Sequence, residues 1–120
     1  MIATTIRQGE LLLQAGLDPM TADMFHRNNG DLKAMWECLV AVPSNPAWSL
    51  DALTEVMCFN EKVSVSFYRA VNFSWVCRWT LLGETERLDL HRMGHDRIEA
   101  AFEVVFELLR NGLIKRVENG

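Results

Sequence analysis

Residues 62–82, KVSVSFYRAVNFSWVCRWTLL, constrain the fold more than any other part of the chain. The segment holds two of the four tryptophans, the single tyrosine and only three charged side chains. Leaving it in water would forfeit about 25 cal/mol for each Å² of exposed apolar surface. The rest of the protein must therefore cover this segment, and we expect it at the centre of the core.

Two structures compete for this segment. Its odd-numbered positions are almost all apolar, which is the alternation of a half-buried strand. Yet the segment is several times longer than a usual strand of about 5 or 6 residues. Its one place for a turn, residues 69–72, offers no Gly, Pro or Asn-Gly. As a helix, the segment would be apolar on nearly every side, which is typical of a helix enclosed by others. The helix is the preferred prediction, and a hairpin within residues 62–82 is the alternative.

The other periodic segments predict helices. Apolar residues three or four apart, bounded by capping residues and glycines, indicate helices near residues 4–15, 19–29, 31–40, 49–57 and 96–111, with a short one within 84–93. The third of these places Leu32, Met35, Trp36, Leu39 and Val40 on one side. We therefore expect an all-α fold, a compact bundle of about five or six helices with a central apolar helix. The alternative is α+β, in which residues 62–68 and 73–81 pair as strands, with 113–117 as a third strand.

Length and composition indicate one globular domain spanning residues 1–120. A chain of 120 residues with 49% hydrophobic and 23% charged side chains lies within the range of ordinary single domains. The proline-containing stretch between Pro43 and Pro46 is too short to separate two domains.

Charge and patterning also suggest the compartment and exclude some partners. A net charge of −4 disfavours nucleic acid, because neutralising phosphates requires clustered Lys and Arg. The N-terminus lacks the pattern of a signal peptide, and Arg69 and Arg78 interrupt the longest apolar run, so we expect no membrane association. Cys38, Cys58 and Cys77 form no close pair and are expected to be buried free thiols. These features favour a cytoplasmic protein.

A helix-turn-helix in residues 50–72 is the one nucleic-acid motif that the spacing allows. LDALTEVM would be its first helix, CFNE its turn and KVSVSFYRAV its recognition helix. However, Cys58 and Phe59 occupy the turn, where such motifs favour small residues, and the recognition helix would offer only Lys62 and Arg69 to DNA. A DNA-binding transcriptional regulator is therefore retained only as the alternative function.

No residue pattern predicts catalysis, a metal or a cofactor. His91 and His95 are four residues apart, but Gly94 lies between them and no C-x-x-C pair could complete a zinc site. No nucleophile can be paired with a base and an anion hole, and no glycine-rich phosphate loop is present. We expect a protein that is not an enzyme.

Protein binding is the remaining hypothesis. Six methionines and four tryptophans provide residue types that are enriched at interfaces. Trp48 lies in the proline-containing loop, and Glu99, Glu103 and Glu107 form an acidic ridge that could attract a basic partner. Alternatively, Trp48 closes the loop over the core and the ridge is only a solvated helix face. We predict a small protein-binding module, such as a regulator, inhibitor or adaptor, with a homodimer as an open alternative.

Overall fold

The computed structural model describes residues 2–38 and 43–117. Within them the protein is α+β and not an all-α helical bundle, with three α-helices and two three-stranded antiparallel sheets. The elements are α1 (Ile6–Gln14), β1 (Met24–His26), β2 (Leu32–Ala34), β3 (Pro46–Ala47), α2 (Leu50–Met57), β4 (Val63–Arg69), β5 (Trp75–Leu82), β6 (Arg87–Gly94) and α3 (Arg97–Arg110). The strand orders are β2-β1-β3 in the small sheet and β4-β5-β6 in the large sheet.

The predicted central helix at residues 62–82 is wrong, because this segment forms the hairpin that was the alternative. β4 and β5 pair antiparallel, with Val63 opposite Leu81 and Arg69 opposite Trp75. The alternation of apolar residues decides the structure: Trp79 and Cys77 face the core and are fully buried, while Arg78 between them is exposed. The strand pattern was real, and only the turn lacked a recognisable signal.

The third strand of the large sheet is β6, not residues 113–117. β6 pairs antiparallel with β5 from Trp75 opposite Gly94 to Leu82 opposite Arg87. The short helix predicted within residues 84–93 is therefore also wrong. These residues are mostly exposed, which matches an edge strand that carries charges.

Helix α3 follows the sequence prediction. The Asp96 carboxylate accepts a 2.8 Å hydrogen bond from the Glu99 backbone N–H, as a helix N-cap does. The helix packs on β5, β6 and α2, and eight of its residues are buried. At its end Gly112 has a φ of 70° and Leu113 N–H donates to Leu108 O at 2.9 Å, which is a Schellman-type stop.

Helices α1 and α2 are confirmed, but those predicted near residues 19–29 and 31–40 are wrong. Both regions contain a short 3₁₀ helix and a three-residue strand, and β1 and β2 form a hairpin around Gly30. Trp36, expected on the buried side of a helix, is 83% exposed. Leu39 and Val40, the last predicted core positions of that helix, lie outside the described residues.

Candidate functional site

The β1–β2 and β4–β5 hairpins have turns of the same design. In the β1–β2 turn, Arg27 N–H donates to Asp31 O at 2.7 Å and Gly30 N–H to Arg27 O at 2.8 Å. In the β4–β5 turn, Ala70 N–H donates to Ser74 O at 2.8 Å and Phe73 N–H to Ala70 O at 3.0 Å. Gly30 and Phe73 are therefore equivalent positions.

The equivalence extends to the residue before each of these positions. The Asn29 side-chain oxygen accepts a bond from Asp31 N–H at 3.0 Å, and that of Asn72 accepts one from Ser74 N–H at 3.2 Å. The residue that follows has its backbone in the left-handed region, with a φ of 90° at Gly30 and 65° at Phe73. Glycine adopts this conformation freely, whereas a residue with a Cβ loses about 1 kcal/mol or more.

Phe73 receives no packing energy in return for this strain. Its side chain is 76% exposed, and Val71, two residues earlier in the same turn, is fully exposed at 100%. Apolar side chains that stay exposed at the tip of a hairpin gain little free energy of burial when the chain folds. A strained conformation that the fold does not need is a reason to look for function.

The apolar surface continues from the turn onto the outer face of the large sheet, which is the face away from α3. Tyr68 pairs with Val76, and Val76 pairs with Met93 on β6. Tyr68 is 47% and Met93 45% exposed, while Val76 between them is 4% exposed. Farther along this face the residues become polar. We call the apolar end the hairpin surface and define it as Tyr68, Val71, Phe73, Val76 and Met93.

On the opposite face of the same sheet end, two arginines stack on Trp75. The guanidinium carbons of Arg69 and Arg97 lie 5.0 Å and 5.3 Å from the centre of the Trp75 ring, within cation–π distance. A cleft of about 400 Å³ lies here, lined in part by Ile2, Leu50 and Trp75.

The predicted contact residue Trp48 is inaccessible in this structure. It is 0% exposed, and its indole N–H donates a 2.9 Å hydrogen bond to the Thr21 hydroxyl. Its backbone N–H also donates to the Thr4 hydroxyl at 3.0 Å. Trp48 therefore closes its loop over the core, which was the second of the two alternatives considered for it.

The predicted acidic ridge packs partly against β6. A Glu107 carboxylate oxygen lies 3.4 Å from Arg92 and 4.0 Å from Arg110. Burial, together with Glu99 and Glu107 nearby, raises the pKa of Glu103 above its usual value. Glu99, Glu103 and Glu107 are each half-buried and lie on α3.

The cysteines differ from the expectation that all three are buried. Cys77 is buried, Cys58 is exposed and Cys38 is half-buried, and none of them forms a disulfide. Burial raises the pKa of Cys77 to about 12, which leaves its thiol protonated and unreactive at neutral pH. Burial also raises the pKa of Cys58. Neither thiol has the depressed pKa of a catalytic cysteine.

Residues 2–38 and 43–117 form no metal cluster, no helix-turn-helix at residues 50–72 and no bilayer-spanning helix. No cluster of three or more His, Cys, Asp or Glu side chains could hold a metal ion there. The predicted recognition helix of the helix-turn-helix is strand β4, so that motif is not formed at residues 50–72. No helix in this part of the chain is long and apolar enough to span a bilayer.

Comparisons with protein-family models, curated proteins and solved structures give no match. The function must therefore be inferred from the chain's own geometry. Sequence analysis missed the hairpin surface because Val71, Phe73 and Tyr68 were expected inside the core. The one weak signal in the sequence is Asn72, because an asparagine at the equivalent position, Asn29, is the only residue that the two turns share.

Proposed function

We propose that this protein is a non-enzymatic protein-binding module, a regulator, inhibitor or adaptor that inserts Phe73 into an apolar pocket of a partner protein. One observation carries this proposal. Phe73 is exposed and its backbone is in the left-handed region, at the position that Gly30 occupies in the β1–β2 turn. The proposal replaces Trp48 and the acidic ridge with the hairpin surface as the main contact.

The energetics favour a partner contact over a structural role. An exposed aromatic in the left-handed region costs about 1 to 2 kcal/mol in the free protein. Burying the same ring in a partner's pocket can be worth 2 kcal/mol or more, which is the size of an interface hot spot. The neighbouring Tyr68 and Met93 provide adaptable apolar contacts around it.

The charge of the surface indicates the chemistry of the pocket. Between Tyr68 and Cys77, Arg69 is the only charged residue. A matching partner would present an apolar pocket with at most one or two carboxylates at its rim, near Arg69. Arg69 and Arg97, which both stack on Trp75, are too few cations to support phosphate binding, so duplex DNA titrated at low and moderate salt is expected to show no salt-dependent binding.

The test compares proteins captured from native-host extract by three immobilised versions of the chain. These are the wild type, Phe73→Gly and the control Trp36→Ser, which removes an aromatic that is 83% exposed and follows β2 of the small sheet. Quantitative mass spectrometry should show partners that the wild type and the Trp36 variant retain equally. Phe73→Gly should retain them at least tenfold less.

Phe73→Gly is informative because it removes the ring while relieving backbone strain, so a loss of binding cannot be attributed to unfolding. If the captured proteins are the same for wild type and Phe73→Gly, the hairpin surface is not the binding site. If Trp36→Ser causes the larger loss, the contact lies on the small sheet instead. Salt-sensitive retention of duplex DNA would contradict the assignment of the partner as a protein.

A further inference from the structure

We propose that a second copy of this chain binds along the free edge of β4, antiparallel, with the two-fold axis at Val65. The two large sheets would then form one continuous six-stranded sheet. This inference goes beyond the proposed function, since it uses the backbone of β4 whereas partner binding depends on the Phe73 side chain.

Hydrogen bonds at the two ends of the hairpin show which backbone groups of β4 face outward. Ala70 N–H bonds to Ser74 O at 2.8 Å, and Leu82 N–H bonds to Lys62 O at 3.1 Å. Because bonded residues alternate along an antiparallel pair, the even-numbered residues of β4 bond to β5. The N–H and C=O groups of Val65 and Phe67 therefore point away from the sheet, and no bond from another element reaches them within the described ranges.

The two edges of the large sheet differ in their protection. β6 carries Arg87, Asp89, His91 and Arg92, and charged side chains are a common means of preventing edge-to-edge pairing. β4 has the sequence VSVSFYR, with no charge and no proline before Arg69 at its end. Apart from the Val63 N–H, which donates to Asn60 O at 3.3 Å, this unprotected edge is a template for another strand.

The sequence around β4 is complementary to itself when it pairs antiparallel about Val65. On the core face, Val63 would lie opposite Phe67 of the second copy. On the outer face, Ser64 would lie opposite Ser66 of the second copy, and Lys62 opposite the ring of Tyr68. Just beyond, Glu61 would lie opposite Arg69, which brings opposite charges together at both ends of the interface.

The same register covers apolar surface outside the strand. Phe59, in the connection between α2 and β4, is 46% exposed. Antiparallel pairing about Val65 brings it towards Val71 of the second copy, which is completely exposed in the single chain. Phe73 and Met93 are not used by this interface and stay available for a different partner, whereas Tyr68, Arg69 and Val71 would contribute to both contacts.

The first experiment measures mass by size-exclusion chromatography with light scattering. The wild type should have about twice the chain mass of 13.7 kDa. Val65→Pro should be monomeric, because proline removes an outward N–H that the single chain does not use and is tolerated on edge strands. His91→Pro is the matched control at an outward-facing position of β6 and should remain dimeric.

The second experiment tests the register with substitutions that leave the core untouched. Ser64→Glu combined with Ser66→Glu places carboxylates opposite each other across the interface and should weaken dimerisation by at least tenfold. Ser64→Lys combined with Ser66→Glu places opposite charges there and should restore it. Both pairs lie on exposed positions, so circular dichroism should show a folded protein in each case.

A monomeric wild type at micromolar concentrations would overturn the proposal. So would a dimer that dissociates equally in both proline variants, or one that the two charge combinations affect alike. Phe73→Gly should leave the dimer intact. Loss of partner capture with a preserved dimer, and the reverse, therefore identify which of the two proposals has failed.

Discussion

The Trp79 indole N–H donates a 3.1 Å hydrogen bond to the backbone oxygen of Met57, the last residue of α2. Both residues are completely buried, so this bond joins the centre of the large sheet to the end of a helix where water cannot reach. Helix ends leave carbonyl oxygens without helical partners, and Trp79 satisfies one of them.

Trp79→Phe should lower the free energy of unfolding by about 1 to 3 kcal/mol, because the Met57 oxygen would lose this buried donor. Urea unfolding followed by circular dichroism measures the change. Trp75→Phe is the control, since Trp75 is only half-buried. Equal losses in the two variants would show that ring volume, and not the hydrogen bond, decides the effect.

Phe73→Gly should raise the free energy of unfolding by about 1 kcal/mol, because glycine adopts the left-handed conformation without strain. The reciprocal change, Gly30→Phe, should lower it by a similar amount in a turn of the same design. Thermal unfolding of both variants provides the measurement. Changes of the same sign in both would contradict the equivalence of the two turns.

Gly94→Ala should destabilise the protein by about 3 kcal/mol through overpacking. A Cβ at this position would lie 2.6 Å from the Ala100 backbone nitrogen, which cannot move without displacing the start of α3. The control is Gly112→Ala, where no atom lies within 4 Å of the new Cβ and only the φ of 70° opposes it. That variant should lose only about 1 kcal/mol. A larger loss at Gly112 would mean that backbone strain outweighs steric clash.

Glu103→Gln should stabilise the protein at neutral pH, because burial raises the pKa of Glu103 in the folded state. A carboxyl group whose pKa is raised in the folded state destabilises the fold once it is ionised. At low pH it is protonated in both the folded and the unfolded state, and this destabilisation is absent. The advantage of the glutamine variant should therefore disappear as the pH falls below the unfolded value of 4.5. Melting temperatures between pH 3 and pH 7 would show this convergence.

The control for that series is Glu55→Gln, which removes one negative charge from an exposed position on α2. If both glutamine variants gain the same stability at neutral pH, the effect reflects net charge and not the environment of Glu103. Neighbouring groups also act on Glu103: Glu99 and Glu107 raise its pKa, and Arg92 opposes them.

Local signals in the sequence predicted α1, α2 and α3 well, since each of these helices has a side-chain cap and one apolar face. Thr5, Ser49 and Asp96 all accept the expected hydrogen bond from the first turn. These interactions lie within a few residues of each other, so a single sequence contains the necessary information. The alternation in residues 63–81 likewise contained the hairpin.

The failures have a shared physical cause, which is that tertiary context overrides a local preference. Phe73 occupies a turn position that favours glycine, so the turn could not be recognised, and the uninterrupted apolar run then favoured a helix. Trp36 fits a helical pattern but is exposed, and Trp48 lies in a proline-containing loop but is buried. The hairpin surface could not be predicted, because its definition depends on which face of β5 is covered by α3.

The tryptophans occupy very different environments, which determines what intrinsic fluorescence can report. Trp36 is 83% exposed, whereas Trp48 and Trp79 are at 0%. Acrylamide should reach the first almost freely in the native protein and the other two only after the structure opens. The emission spectrum of the whole protein therefore combines the signal of Trp36, which unfolding changes little, with those of Trp48 and Trp79, which unfolding changes strongly. Replacing Trp36 by phenylalanine would leave a spectrum that reports unfolding more directly.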